Sequence, residues 1–173
     1  GTWKMGTKRR NRTPDHAFLF RLPSARQRTG QGNSLDVPEL PEVELCREDL
    51  TRWTAESAPL RLKIWDRSLL SDEAEHGLNN ALETAKDSRW ERKGKVLLWS
   101  ISPNCALAVH LRMTGKFVWR AQQTPPPYTR ASLLGGSTGS IHFTDPRRFG
   151  RWWWGAEAAV REASGWNRLG PDA

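Results

Sequence analysis

Between residues 61 and 155 the chain is a series of short apolar runs broken by Gly, Pro, Ser or Asn, and this punctuation constrains the fold more than any other feature. The runs RLKIWD (61–66), KVLLWSI (95–101), ALAVHL (106–111) and KFVWR (116–120) are strand-sized and bounded by turn residues, so they read as strands. AQQTPPPY (121–128) is a loop, because three consecutive prolines remove backbone donors and favour an extended, exposed course. After it, TRASLLGGSTGSIHFTD (129–145) reads as strand, glycine-rich turn, strand. RFGRWWWG (148–155) reads as a further strand, with tryptophans 152–154 assigned to packing rather than base stacking.

Two helices are expected at the ends of this series. Pro41 suits a first helical turn, Glu42 and Glu44 suit its positive end, and Leu45, Leu50 and Trp53 form a partial apolar stripe, which predicts a helix over 41–54. AEAAVREA (156–163) predicts a short second helix. The expected fold is therefore mainly β (α+β): a two-layer β-sandwich of about seven to eight strands flanked by two α-helices.

Charge divides the chain unevenly. The formal net charge is +8, but residues 1–36 hold 8 Lys/Arg against Asp15 and Asp36, a net +6, leaving +2 for residues 37–173. The first segment has one apolar run, HAFLF (16–20), and no convincing period, so residues 1–36 are expected to be disordered or a spurious upstream extension. In the remainder, cations concentrate in RWERKGK (89–95) and RRFGR (147–151), the pattern of a local polyanion footprint on a balanced domain. No run of 18 apolar residues argues for a membrane span. Cys46 and Cys105 form no C-x-x-C pair, so neither a disulfide framework nor a zinc knuckle can be read from them.

The stretch LDVPELPEVEL (35–45) raises a chemical question. Inside a chain the Pro38 nitrogen belongs to a tertiary amide and is not nucleophilic. At a free terminus it is a secondary amine with a reference pKa of about 8, able to attack a sugar aldehyde carbon. The resulting iminium has no N–H to lose, stays cationic, and acidifies the adjacent C–H bond, so strand cleavage by elimination follows. Glu39 is placed to transfer protons in such a sequence.

PELPEVE (38–44) resembles the mature N-terminus of the bacterial formamidopyrimidine-DNA glycosylases, and four more stretches agree in order: RKGKVLLW (92–99), HLRMTG (110–115), FTDPRRFG (143–150) and LGPD (169–172). PELPE also favours this branch over the endonuclease VIII branch, whose start resembles PEGPE. The resemblance implies a DNA-formamidopyrimidine glycosylase and abasic-site lyase of base excision repair. It would excise oxidised purines, 8-oxoguanine and formamidopyrimidines, through an N-terminal proline Schiff base and β,δ-elimination. It further implies Pro38 as nucleophile, Glu39 as general acid/base and Lys95 as a phosphate contact and proton donor. His110 would lie by the DNA backbone, while Met113, Arg147 and Phe149 would fill the gap left by a flipped base. Tyr128 stands where the family often has a DNA-contacting His, and Arg112 where many relatives carry Gly.

The resemblance also implies a monomeric bacterial cytoplasmic, nucleoid-associated protein acting on damaged double-stranded DNA, with no membrane partner. Residues 37–173 correspond to the family's N-terminal catalytic β-sandwich. The helix-two-turn-helix module and the zinc finger that follow in the family are expected beyond Ala173, so zinc belongs to that missing half and no metal site is expected in this chain. Val37 suggests a GUG start codon that would leave Pro38 first. Two alternatives stay open: a noncatalytic damaged-DNA-binding fragment of the same family, and an N-terminal-proline tautomerase.

Overall fold

The computed structural model describes residues 39–136 and 139–171. The expectation for residues 1–36, and Pro38 itself, lie outside the described residues.

Helix α1 (Leu40–Glu56) opens the fold, with Pro41 in its first turn. The Glu42 carboxylate accepts the Glu39 backbone N–H at 3.2 Å, satisfying a donor that a helix start leaves orphaned. Its inward face is Val43, Leu50 and Thr54. Spacings of seven and eleven residues return to within about 20° of the same direction at 3.6 residues per turn. Leu45, expected in the stripe, lies about 140° from Leu50 and is exposed. Val43, not Leu45, takes the inward position in the first turns. Glu44 ties the helix to the sheet by accepting from Arg92 at 2.7 Å.

The chain continues through β1 (Arg61–Ile64), α2 (Asp72–Thr84), β2 (Arg89–Lys93), β3 (Val96–Ser102), β4 (Cys105–His110), β5 (Lys116–Arg120), β6 (Thr129–Leu134), β7 (Ser140–Thr144), β8 (Arg151–Ala156) and α3 (Glu157–Ala163), ending in a 3-10 turn, Trp166–Arg168. The described residues thus hold eight strands and three helices rather than two. The additional helix, α2, fully buries only Leu78, with Ala74, Ala81 and Leu82 packed partly against the core. Its start is chemically marked: the Ser71 hydroxyl accepts the Ala74 N–H at 3.1 Å, and Asp72, Glu73 and Glu75 follow in the first turn. Asn79 on α2 bonds both the N–H and the carbonyl of Leu62, at 2.7 and 3.0 Å, and so closes part of the free edge of β1.

Two antiparallel sheets form, in the orders β1-β6-β7-β5 and β2-β3-β4-β8. Leu62, Ile64, Phe117, Leu133, Ile141 and Phe143 of the first face Trp90, Leu97, Trp99, Leu107, Val109 and Trp152 of the second. Trp90 and Trp99, directly paired across β2 and β3, stack at 4.9 Å. The second sheet is covered on its outer face as well, where Val96, Leu98, Ala106 and Ala108 meet Val160 and Trp166. Burial on both faces explains why the β3 and β4 sequences are continuously apolar instead of alternating. The three tryptophans pack, as expected: Trp152 and Trp154 join the inner cluster and Trp153 the outer one.

The outer face of the first sheet holds a buried polar chain. Ser140 Oγ donates to the Gln122 carbonyl at 2.8 Å, so it must accept from His142 Nε2–H, also at 2.8 Å. His142 Nδ1 then accepts from Ser132 Oγ at 2.7 Å, and Ser132 accepts from the Trp65 indole N–H at 2.9 Å. Every donor in the chain then points one way, an arrangement that a neutral imidazole satisfies completely. Burial, seconded by the Arg120 charge, holds the His142 pKa below its ordinary value.

Candidate nucleic-acid interface

Strand register gathers one end of both sheets into a common surface. In the second sheet Val96 pairs with His110, and His110 with Arg151. In the first, Thr144 pairs with both Lys116 and Thr129. The β4–β5 loop (111–115) and the β7–β8 loop (145–150) pass from one sheet to the other at this end. Lys95, His110, Met113, Tyr128, Arg147 and Phe149, widely separated in sequence, therefore meet along one rim.

Lys95 sits in the two-residue turn between β2 and β3 rather than at the start of a strand, after Gly94 at φ +55°. Such a turn needs a left-handed first residue, which glycine supplies at no steric cost. Met113, Phe149 and Tyr128 are 38%, 48% and 62% exposed, and it is their sharing of one rim that is informative. Lys95, Arg112, Arg147 and Arg151 are exposed, and no ion pair joins them to an acid among the described residues. Arg148 differs: its Nε lies 2.9 Å from Oδ2 of Asp66, a nearly buried carboxylate that also takes the Ser68 hydroxyl. The Ser68 hydrogen bonds and the Arg148 and Arg130 charges outweigh burial and hold Asp66 below the usual carboxylate range.

Backbone strain concentrates here as well. The non-glycine residues with positive φ among the described residues are Arg112 (57°), Tyr128 (63°) and Arg148 (59°), all on this rim. The Arg112 value accounts for what a glycine would gain at that position. The Arg112 N–H donates to His110 Nδ1 at 3.0 Å, which leaves Nε2–H as the donor of a neutral ring. Burial, with the Arg112 and Lys95 charges, lowers the His110 pKa.

Sequence reasoning missed Asp145, which is fully buried beneath the rim. Its Oδ1 accepts from Thr114 Oγ1 at 2.5 Å and its Oδ2 from the Gly150 N–H at 2.7 Å. Its own N–H donates to the Tyr128 carbonyl, and its carbonyl accepts from Arg130 Nε at 2.9 Å. Phe143 shares the position: a Cβ built on Gly115 would lie 2.9 Å from the ring tip, and one on Gly150 2.8 Å from the same atom. The only signal in the sequence was one acid beside two arginines in DPRRFG, which does not reveal the partners.

Glu39 is exposed at the start of α1. A cleft of about 650 Å³ runs beside that helix, with Glu42, Cys46 and Trp53 on one wall and Met113, Thr114 and Pro146 on the other. It brings the first turn of α1 to the rim.

A family profile described as the formamidopyrimidine-DNA glycosylase N-terminal domain matches residues 37–152. The chain belongs to the formamidopyrimidine-DNA glycosylase family. Relatives bearing the name formamidopyrimidine-DNA glycosylase include one from Acaryochloris marina, 34% identical over 145 residues, covering 79% of this chain and 51% of the relative. Another, from Moorella thermoacetica, is 35% identical over 139 residues, covering 79% of this chain and 50% of the relative. The wild-type Lactococcus lactis Fpg, solved in complex with an oxidized-pyrimidine-containing DNA, superposes with a TM-score of 0.64 at 26% identity, covering 78% of this chain and 50% of that one. The chain spans about half the length of the curated formamidopyrimidine-DNA glycosylases it matches. The expected β-sandwich is the formamidopyrimidine-DNA glycosylase N-terminal fold.

Proposed function

We propose that this chain is the N-terminal catalytic half, residues 37–173, of a bifunctional glycosylase and abasic-site lyase that removes oxidised purines such as 8-oxoguanine and formamidopyrimidines from duplex DNA. The observation that carries the reading is the rim. Unpaired cations, exposed Met113 and Phe149, and strained Arg112, Tyr128 and Arg148 share one end of the sandwich. Cations without acidic partners attract phosphates and release counterions, while apolar side chains held in the open suit an unstacked gap in a duplex.

In this reading Pro38, as a free secondary amine, attacks C1′ of the damaged nucleotide. The base leaves with a proton supplied by an acid, and Glu39 exchanges protons during ring opening. The iminium then acidifies the C2′ hydrogen, and elimination releases the 3′ phosphate and subsequently the 5′ phosphate. Lys95 and His110 Nε2–H contact phosphate oxygens beside the lesion, and Lys95 also donates a proton. Met113, Arg147 and Phe149 occupy the vacated stack, with Tyr128 beside the backbone. The zinc implied by the family has no cluster of three ligands among the described residues, and no step here involves it.

A second reading, a noncatalytic damaged-DNA-binding fragment, is favoured by Val37, whose carbonyl would acylate Pro38 in the chain as given. Borohydride trapping on abasic DNA separates the two. A chain beginning at Pro38 and joined to the family's second half should give a covalent adduct. Saturable binding without any adduct would leave only the second reading.

A further inference from the structure

We propose that Asp145 is a positioning residue that locks the 111–115 and 145–150 loops into a single unit, so that Met113 and the Arg147–Phe149 segment meet DNA at a fixed spacing; this rests on the DNA reading above. The two loops are connected through different strands, and their exposed residues have no direct bond to one another among the described residues. Their link lies underneath. One carboxyl oxygen takes the Thr114 hydroxyl, next to Met113, and the other takes the Gly150 N–H, next to Phe149. A planar carboxyl with both oxygens engaged cannot rotate without releasing one loop. The Phe143 ring tip sits against both loop glycines, so neither loop can close further toward the other without expelling it.

The remaining polar groups of Asp145 extend the same unit. Its N–H holds Tyr128, and its carbonyl holds Arg130, whose guanidinium also lies 3.9 Å from Asp66, the partner of Arg148. A wedge must enter between base steps with its parts correctly spaced, and disordering any part raises the entropy lost on insertion. Full burial of the carboxyl, away from any phosphate, identifies it as acting through the loops rather than on DNA.

The test uses the full chain and a duplex with a tetrahydrofuran abasic site opposite 2-aminopurine, whose fluorescence reports unstacking when the wedge enters. Asp145→Asn should behave within about twofold of the parent, because its amide oxygen still accepts from Gly150 while its NH₂ donates to the Thr114 hydroxyl. Thr114→Val, which removes one hydrogen bond, should cut the saturating fluorescence change about fivefold, and Asp145→Ala, which removes both, should cut it further, while the salt slope of binding stays at the parent value. In the absence of DNA, Thr114→Val should raise Gly150 amide exchange about fivefold, although Gly150 lies in the other loop. That arm needs only a folded chain, which circular dichroism checks. Parent-like fluorescence from folded Thr114→Val, or unchanged Gly150 exchange, overturns the inference. A parent chain with no fluorescence change, but with Gly150 exchange sensitive to Thr114→Val, supports the coupling and overturns the DNA reading instead.

Discussion

Salt dependence offers a quantitative test of which cations face DNA. Lys95, Arg112, Arg147 and Arg151 are exposed without an acidic partner among the described residues, whereas Arg148 is held 2.9 Å from Asp66. If the first four each neutralise a phosphate, log K should fall against log salt with a slope of about −3.6, and affinity should drop about 150-fold between about 50 and 200 mM salt. Arg147→Ala should reduce the slope to about −2.7 and the drop to about 40-fold. Arg148→Ala should leave the slope at the parent value, because the Asp66 carboxylate already compensates that guanidinium. Fluorescence anisotropy with a labelled duplex, repeated at four or more salt concentrations, reads all three slopes. Equal losses from Arg147→Ala and Arg148→Ala would refute the division, and a parent slope shallower than about −2 would refute the proposed footprint.

Arg112→Gly should separate strain from binding: left-handed backbone costs a non-glycine residue about 1 kcal/mol, partly offset by the freedom glycine regains on unfolding. Its urea midpoint should hold or rise slightly while the salt slope loses about one unit. Gly115→Ala would bring a Cβ to 2.5 Å from the Leu111 carbonyl and 2.9 Å from Phe143, so denaturant unfolding should show a loss of about 2 kcal/mol. Gly170→Ala, with nothing within 4 Å, serves as the neutral control. The histidines predict an acid limb. His110 and His142 both have folded pKa values lowered from 6.5, so below that value the unfolded chain binds protons the folded chain refuses. Stability should be full above about pH 6.5 and decline as pH falls through it. Urea midpoints for the parent and His142→Gln at pH 7.5 and 5.5 check this, the variant losing part of the decline.

The strand series was readable because punctuation and strand length are local properties, and β3 through β8 all lie where the short runs indicated. Strand β2 was not read because RWERK buries only Trp90 fully, so its charged residues resembled a surface segment. Helix α2 escaped for the corresponding reason, a single buried position behind a well-formed cap. The gathering of Lys95, His110, Met113, Tyr128, Arg147 and Phe149 follows from register between distant strands, and only family resemblance anticipated it. Asp145 and His142 illustrate the remaining gap. Each is defined by partners up to 31 residues away, and nothing in an isolated Asp or His announces them.

The two loops that cross between the sheets at the rim have a mechanical consequence. They are straps across the mouth of a pair of plates, and the Phe117, Phe143 and Trp152 rings form the bearing surface on which those plates rest. In the proposed DNA reading, a slip of one plate over the other would be carried through the straps to Met113 and Phe149. The spacing of the exposed Met113 and Phe149 is therefore set in part by the aromatic packing directly beneath their loops.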